Sequence, residues 1–266
     1  MTASGGKLDG KVAIVTGAGS SGPGVGTGKA ISVLFAQEGA TVVLVDMVES
    51  RAKDTLARVE ADGGNASVLV ADVSDIATCQ HIVDETVRRH GTVDILVNNA
   101  AISSSTSILD TTPELYSQVL AVNLTAPFFL TRAAIPIMVD AGGGSIVNIM
   151  SIAAMRGQGG RGRTAYAASK AGMWGLMVDV ADSFGAQGIR INTIAPGIID
   201  TPMRAAAMRQ GGLDPATVDL SSKTSLGFEG DAWDIARASL FLAGPDGRYI
   251  TGVLLPVDGG TTARSH

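Results

Sequence analysis

Tyr166 and Lys170 stand four residues apart in a stretch of helical composition, so their side chains share one helix face. A phenol has a reference pKa of ~10, and lowering it to ~7 takes about 4 kcal/mol of preferential stabilisation of the phenolate. One ammonium at ~4 Å in an effective dielectric of ~20 supplies about that much. Burial opposes the shift by disfavouring the charged form, so the cation has to win. Such a pair predicts a general base toward a hydroxyl and, in reverse, an acid toward a carbonyl. Ser151, fifteen residues earlier, would hydrogen-bond the same substrate oxygen. It is no hydrolytic nucleophile, because a GxSxG elbow and a nearby histidine are both missing. Asn123 enters through its backbone: Pro127, four residues on, has no N–H, so the Asn123 carbonyl loses its regular helical partner and is left to hold water.

A second constellation lies at residues 16–30, TGAGSSGPGVGTGKA, between an apolar run and a helical one. Glycine lets the backbone approach an anion, and the N–H groups of a helix start point outward, so a pyrophosphate is the natural guest. The rival pattern, GxxxxGK[ST], fails because Pro23 stands where a glycine is needed and Ala30 where a hydroxyl is. The next run, TVVLVD, ends in Asp46, eighteen residues past Gly28. A carboxylate there accepts hydrogen bonds from both adenosine ribose hydroxyls and repels a 2′-phosphate, which favours NAD over NADP. Asp72 and Val73 close the third run, at the edge where adenine should lie, and Asn98 and Asn99 close the fourth.

These residues need a frame. Short β-branched runs over 12–16, 41–46, 67–71, 93–98, 145–150, 190–195 and 252–257 alternate with helix-length stretches over 28–37, 49–61, 75–89, 113–139, 165–184 and 231–242. The pattern predicts a single-domain α/β fold, a doubly wound seven-stranded parallel sheet with helices on both faces. Several strands are apolar throughout, as such covering requires. Thr112, Pro113 and Glu114 mark one helix start as cap, first helical residue and dipole partner. The 200–230 stretch holds Pro202, Gly211, Gly212 and Pro215 without a clear period, which predicts a broken-helix lid in which Met203 and Met208 adapt to apolar shapes.

Composition removes several function classes. Of 266 residues, 45% are apolar and 17% charged, with 34 glycines, so one large core is available. Twenty Lys and Arg against 25 Asp and Glu give a net charge of −5, without the basic face a nucleic acid would need. The polar start and the lack of an apolar run of ~18 residues argue against export or a membrane and for a cytoplasmic protein. Cys79 is the only cysteine, which excludes an internal disulfide or a CxxC pair. His81 and His90, near Asp84 and Glu85, read as a solvated helix side, so no metal is expected.

The whole set resembles the short-chain dehydrogenase/reductase family in its shorter form. Its matching pieces are TGAGSSGPGVGTGKA, Asp46, Asp72 with Val73, NNAA at 98–101, Asn123, Ser151, YAASK at 166–170 and PGIIDTPM at 196–203. The resemblance implies a Rossmann-like sheet, a nicotinamide cofactor and hydride exchange with a secondary alcohol or ketone. It makes Asn123, Ser151, Tyr166 and Lys170 the catalytic set, with Asn123 linking the lysine to solvent through a water. It places Gly17, Ser21, Gly26, Thr27, Gly28, Asp46, Asp72, Val73, Asn99, Tyr166, Lys170, Ile199 and Thr201 on the cofactor, which is taken as NAD. It also implies a homotetramer, with the 113–139 and 165–184 helices forming one interface and the final strand another.

Two departures stand out. The glycine loop carries about five extra residues around 21–25, and the Ser151 to Tyr166 interval is about two longer than usual and contains Arg156, Arg161 and Arg163. An anionic group on the substrate could pair with one of these arginines. Other readings are an NADPH-preferring carbonyl reductase of the 3-oxoacyl type, which Asp46 opposes, and a dinucleotide sensor without turnover, which the intact catalytic set opposes.

Overall fold

The computed structural model describes residues 5–157, 162–210 and 212–264. The apolar runs become β1 (Val12–Thr16), β2 (Thr41–Asp46), β3 (Asn65–Val70), β4 (Ile95–Asn98), β5 (Gly144–Ile149) and β6 (Ile189–Pro196). After a short ladder of β7 (Ile199–Asp200) with β8 (Gly230–Asp231) comes β9 (Leu254–Val257). The main sheet is parallel throughout, in the order β3-β2-β1-β4-β5-β6-β9. The helices are α1 (Thr27–Gln37), α2 (Glu49–Ala61), α3 (Ile76–His90), α4 (Pro113–Leu120), α5 (Ala126–Asp140), α6 (Thr164–Phe184), α7 (Pro202–Gln210) and α8 (Ala232–Ala243).

Successive strand residues explain why the runs are apolar at every position. Ala13, Val15, Val42 and Leu44 pack with Phe35 of α1 and Ile235 of α8. Their sequence neighbours Ile14, Val43 and Val45 face the other way, onto Ile82 of α3, Leu130 of α5 and Met177 of α6. Both faces are covered, so neither alternate set can be polar. Strand order reverses between β1 and β4, and a crevice opens there beyond the carboxyl ends of the strands.

Where the structure departs from the sequence reading, local chemistry gives the reason. The fourth strand begins at Ile95, because the Asp94 carboxylate accepts from the Val12 N–H and from Lys11 Nζ, both at 2.9 Å, and takes over an edge contact. The third strand ends at Val70, so Asp72 and Val73 follow it. The helix expected over 113–139 is interrupted by a π-helical turn, Ala121–Thr125, after which the Ala126 N–H bonds the Ala121 carbonyl five residues back. This is the irregularity that Pro127 required. Its start is as read, with the Thr112 hydroxyl accepting from the Leu115 N–H at 3.2 Å. Contrary to the expectation, an 18-residue window within Pro113–Asp140 is apolar enough to cross a membrane, with mean hydropathy 1.4, and half of that window is buried inside the domain.

The 200–230 excursion is a broken helix. It contains α7 and 3₁₀ turns at Pro215–Thr217 and Ser221–Lys223. The β7–β8 ladder closes its two ends, and an Arg204–Glu229 ion pair crosses it.

Candidate active site

A cleft of about 1040 Å³ runs along the carboxyl edge of the sheet, from β2 and β3 across the β1–β4 crevice to α6 and α7. At the glycine loop its lining includes Gly17, Ser21, Gly26, Thr27 and Gly28. Gly17 sits at φ +62°, and a Cβ there would lie 2.9 Å from the Ala100 Cα. A Cβ on Gly28 would lie 2.0 Å from the Gly17 carbonyl oxygen, so only glycine fits. Gly26 is the N-cap of α1 and supplies no side-chain cap, and the first turn holds no acid. That helix start keeps its positive end for an external anion. The extra residues form a side loop: the buried Ser20 hydroxyl accepts from the Gly26 N–H at 2.8 Å, and residues 21–24 are exposed, with Ser21 at the edge of the cleft.

Asp46 lines the far end, its two carboxylate oxygens accepting from the Gly19 N–H at 3.0 Å and the Val48 N–H at 2.9 Å. Asp72 and Val73 line the same end. Asn99 also lines the cleft, but its amide donates to the Thr16 and Gly17 carbonyls at 2.9 and 3.0 Å, so its side chain fixes the loop. Asn98 is buried in β4 and bonds Asn148 of β5 at 2.9 Å, a tie within the sheet. Cleft volume, uncapped helix start and a carboxylate held at the end of β2 together fit a dinucleotide.

At the other end, Ser151, Tyr166 and Lys170 meet. Lys170 is fully buried, and its ammonium donates to the Ile149 carbonyl at the end of β5 at 2.8 Å. Its nitrogen lies 5.9 Å from the centre of the Tyr166 ring. Ser151 caps the turn Ile152–Ala154 through a bond from the Ala153 N–H at 3.1 Å, which holds its hydroxyl beside the phenol. The electrostatics overturn the simple pair argument. Burial pushes the Tyr166 phenol up from its ordinary value, with the Ser151 hydrogen bond and the Arg163 charge acting in the opposite direction. Burial also lowers Lys170 to about 7. Desolvation therefore outweighs the cation in this pocket, and the chain by itself holds the phenol protonated.

The Asn123 side chain does not reach the cleft. It is buried in the π-helical turn, accepts from the Ile102 N–H at 2.9 Å, and donates to the Ile102 carbonyl at 3.0 Å and the Ser169 hydroxyl at 3.1 Å. Ser169 in turn donates to the Tyr166 carbonyl at 2.7 Å, so Asn123 braces the helix that carries the tyrosine. Ile199 and Thr201 line the cleft where β7 leads into α7, and the Thr201 carbonyl accepts from the Ala205 N–H at 3.0 Å.

Of the three loop arginines, Arg156 and Arg163 line the cleft and Arg161 lies outside the described residues. Arg51, Arg204, Lys223, Thr261 and Arg264 also line it and were not identified from sequence. Arg51, five residues past Asp46, was within reach of a sequence argument; Arg264, brought in from beyond the last strand, was not. Among the described residues no group of His, Cys, Asp or Glu could hold a metal, and burial raises the Cys79 thiol to about 11.

A family model described as enoyl-(acyl carrier protein) reductase matches residues 23–262. The 3-oxoacyl-[acyl-carrier-protein] reductase FabG of Thermotoga maritima is 35% identical over 254 residues, 96% of this chain and 98% of its own. A Burkholderia xenovorans crystal structure described as a short-chain dehydrogenase/reductase superposes with a TM-score of 0.92 at 39% identity, covering 98% of this chain and 100% of that one. An Agrobacterium tumefaciens crystal structure with bound NADP, described as a 2-deoxy-D-gluconate 3-dehydrogenase, has a TM-score of 0.84 at 35% identity, over 97% and 98% of the two chains. A 7α-hydroxysteroid dehydrogenase with NADH and a 7-oxo bile acid also has 0.84, at 33% identity over 95% and 94%.

Burial of Lys170 makes stability depend on pH. Its folded pKa lies below the unfolded value of 10.5, so between about 7 and 10.5 the unfolded chain holds a proton that the folded one does not, and stability rises with pH. The penalty is full below pH 7. Replacing Lys170→Met in the ligand-free protein should therefore be most favourable, relative to the parent, at pH 6 and lose up to about 4 kcal/mol of that advantage by pH 10.5. Urea unfolding of both proteins at the two pH values checks this, and a difference independent of pH would contradict it.

Proposed function

The chain belongs to the short-chain dehydrogenase/reductase family and is an oxidoreductase, and from that premise we propose that it exchanges a hydride between NAD and a secondary alcohol or ketone, with Tyr166 as general acid and base. The observation that carries this reading is the meeting of Ser151, Tyr166 and Lys170 at one end of a cleft whose other end is the glycine loop and Asp46. The nicotinamide supplies the hydride acceptor or donor and, when oxidised, a positive charge beside the phenol.

In the direction of reduction, the protonated phenol that burial favours gives its proton to the carbonyl oxygen as that oxygen gains charge. Ser151 donates a hydrogen bond to the same oxygen and orients it. In oxidation the alcohol proton passes to the Tyr166 oxygen as the C–H bond breaks and the carbonyl forms. Lys170, held by the Ile149 carbonyl, would stabilise the phenolate and hold the ribose of a bound nicotinamide. Asn123, within the π-helical turn, positions α6 through Ile102 and Ser169. The 200–230 segment acts as the lid, and Ile199 and Thr201 at its start would hold the carboxamide of a bound nicotinamide.

Asp46 supports NAD, since a carboxylate held at the end of β2 by the Gly19 and Val48 N–H groups would repel a 2′-phosphate. A second reading, as an NADPH-dependent reductase, draws on Arg51, which lines the same end of the cleft. The α6 face carries exposed Trp174 and Val178, 53% and 51% accessible, next to the small residues Ala171 and Gly175. This face supports a homo-oligomer, taken as a tetramer.

Three measurements test the reading. Tyr166→Phe should lower kcat by about 10²- to 10⁴-fold in a nicotinamide-absorbance assay over a panel of alcohols and ketones while NADH still binds. Unchanged turnover would remove the tyrosine from the mechanism. Steady-state kinetics with both cofactors should show NAD preferred, and Asp46→Ala should raise the KM for NAD about tenfold and admit NADP. A parent enzyme that prefers NADP would favour the second reading. Val178→Arg should split the oligomer in sedimentation equilibrium, whereas a monomeric parent would contradict the assembly.

A further inference from the structure

The lining of the cleft separates its charges. Among the described lining residues the only acids are Asp46 and Asp72, both at the glycine-loop end. Around Ser151, Tyr166 and the 202–223 segment the charged lining residues apart from the buried Lys170 are Arg156, Arg163, Arg204, Lys223 and Arg264, five further cations and no acid, in a chain of net charge −5. Only Arg204 is neutralised, by Glu229, whose carboxylate also accepts from the Leu220 N–H at 2.6 Å. The Arg156 guanidinium donates to the Thr261 carbonyl, and that of Arg264 to the Ser222 and Thr224 carbonyls. Carbonyls fix these groups in place without cancelling their charge. Arg163 and Lys223 meet no carboxylate among the described residues.

Four positive charges without a carboxylate partner among the described residues thus line the end of the cleft that holds the proposed reacting groups, together with the apolar Met203, Met208 and Leu213. A neutral substrate closing this space would strip water from those cations and return nothing. A carboxylate would meet them with charge-assisted hydrogen bonds, bidentate at an arginine. Resting on the oxidoreductase reading, we propose that the substrate is a hydroxy acid or oxo acid: a secondary alcohol or ketone on an apolar body, whose carboxylate is held by Arg156, Arg163, Lys223 and Arg264.

The test uses the full-length enzyme with NAD and a panel of 2-, 3- and 4-hydroxy acids and ring hydroxy acids, each as free acid, methyl ester and coenzyme A thioester. The best substrate should be a free acid with a KM at least tenfold below that of its ester, a gap that narrows in 0.5 M NaCl. Lys223→Gln and Arg163→Gln should each raise the KM for the acid about tenfold to a hundredfold more than that for the ester. Equal use of acids and esters, or a gap that neither variant narrows, overturns the proposal and leaves the oxidoreductase reading standing. Turnover of the thioester alone assigns the cations to phosphate and overturns the carboxylate. No turnover of any member overturns this proposal, and the oxidoreductase reading then rests on the panel of alcohols and ketones used for Tyr166→Phe.

Discussion

The site depends on an ammonium taken out of water. Lys170 lies inside the domain with its nitrogen on the Ile149 carbonyl, at the point where β5 ends and the chain turns to Ser151. Placing a lysine there is costly, and its lowered pKa records the cost. The fold tolerates it because α6 is anchored elsewhere, through Met173, Met177 and Val180 and through the Asn123–Ser169 bond. That anchoring sets where the Tyr166 phenol stands relative to Ser151. The same burial that strains the lysine keeps the phenol protonated, so the chain alone is set for giving a proton, and taking one requires additional positive charge.

The two ends of the cleft are built on opposite principles. At the glycine loop the backbone itself is the binding surface, with side chains removed at Gly17 and Gly28 and the helix start left uncapped. Around the proposed reacting groups side chains carry the specificity, and they come from separated parts of the chain: the loop after β5, the excursion after β7 and the segment beyond β9. Hydrogen bonds from Arg156 to Thr261 and from Arg264 to Ser222 tie these pieces together. A fixed cofactor surface beside a substrate surface of assembled loops lets one fold serve many substrates.

Much of this was legible in the sequence. Buried parallel strands must be apolar on both faces, so the runs at 12–16 and 41–46 gave β1 and β2 to the residue. Pro127 announced a helix irregularity through its missing N–H, although its form, a π-helical turn, depends on how α4 and α5 pack. The glycine loop and the tyrosine–lysine pair were local patterns and therefore readable, whereas Arg204, Lys223 and Arg264 have no local pattern and are gathered only by the lid and the chain end. The sign of the tyrosine shift also escaped, because burial is a property of the folded whole. Spacing suggested a cation close enough to win, and the structure puts the ammonium 5.9 Å from the ring centre in a pocket where desolvation dominates.

The central claim is that Tyr166 is a proton donor whose acidity the bound cofactor switches. With only three tyrosines in the chain, the difference between parent and Tyr166→Phe in ultraviolet phenolate absorbance isolates this one group. Titrated without ligand, it should ionise above the ordinary tyrosine range; with saturating NAD it should ionise well below its ligand-free value. Identical titration curves with and without the dinucleotide would contradict the account.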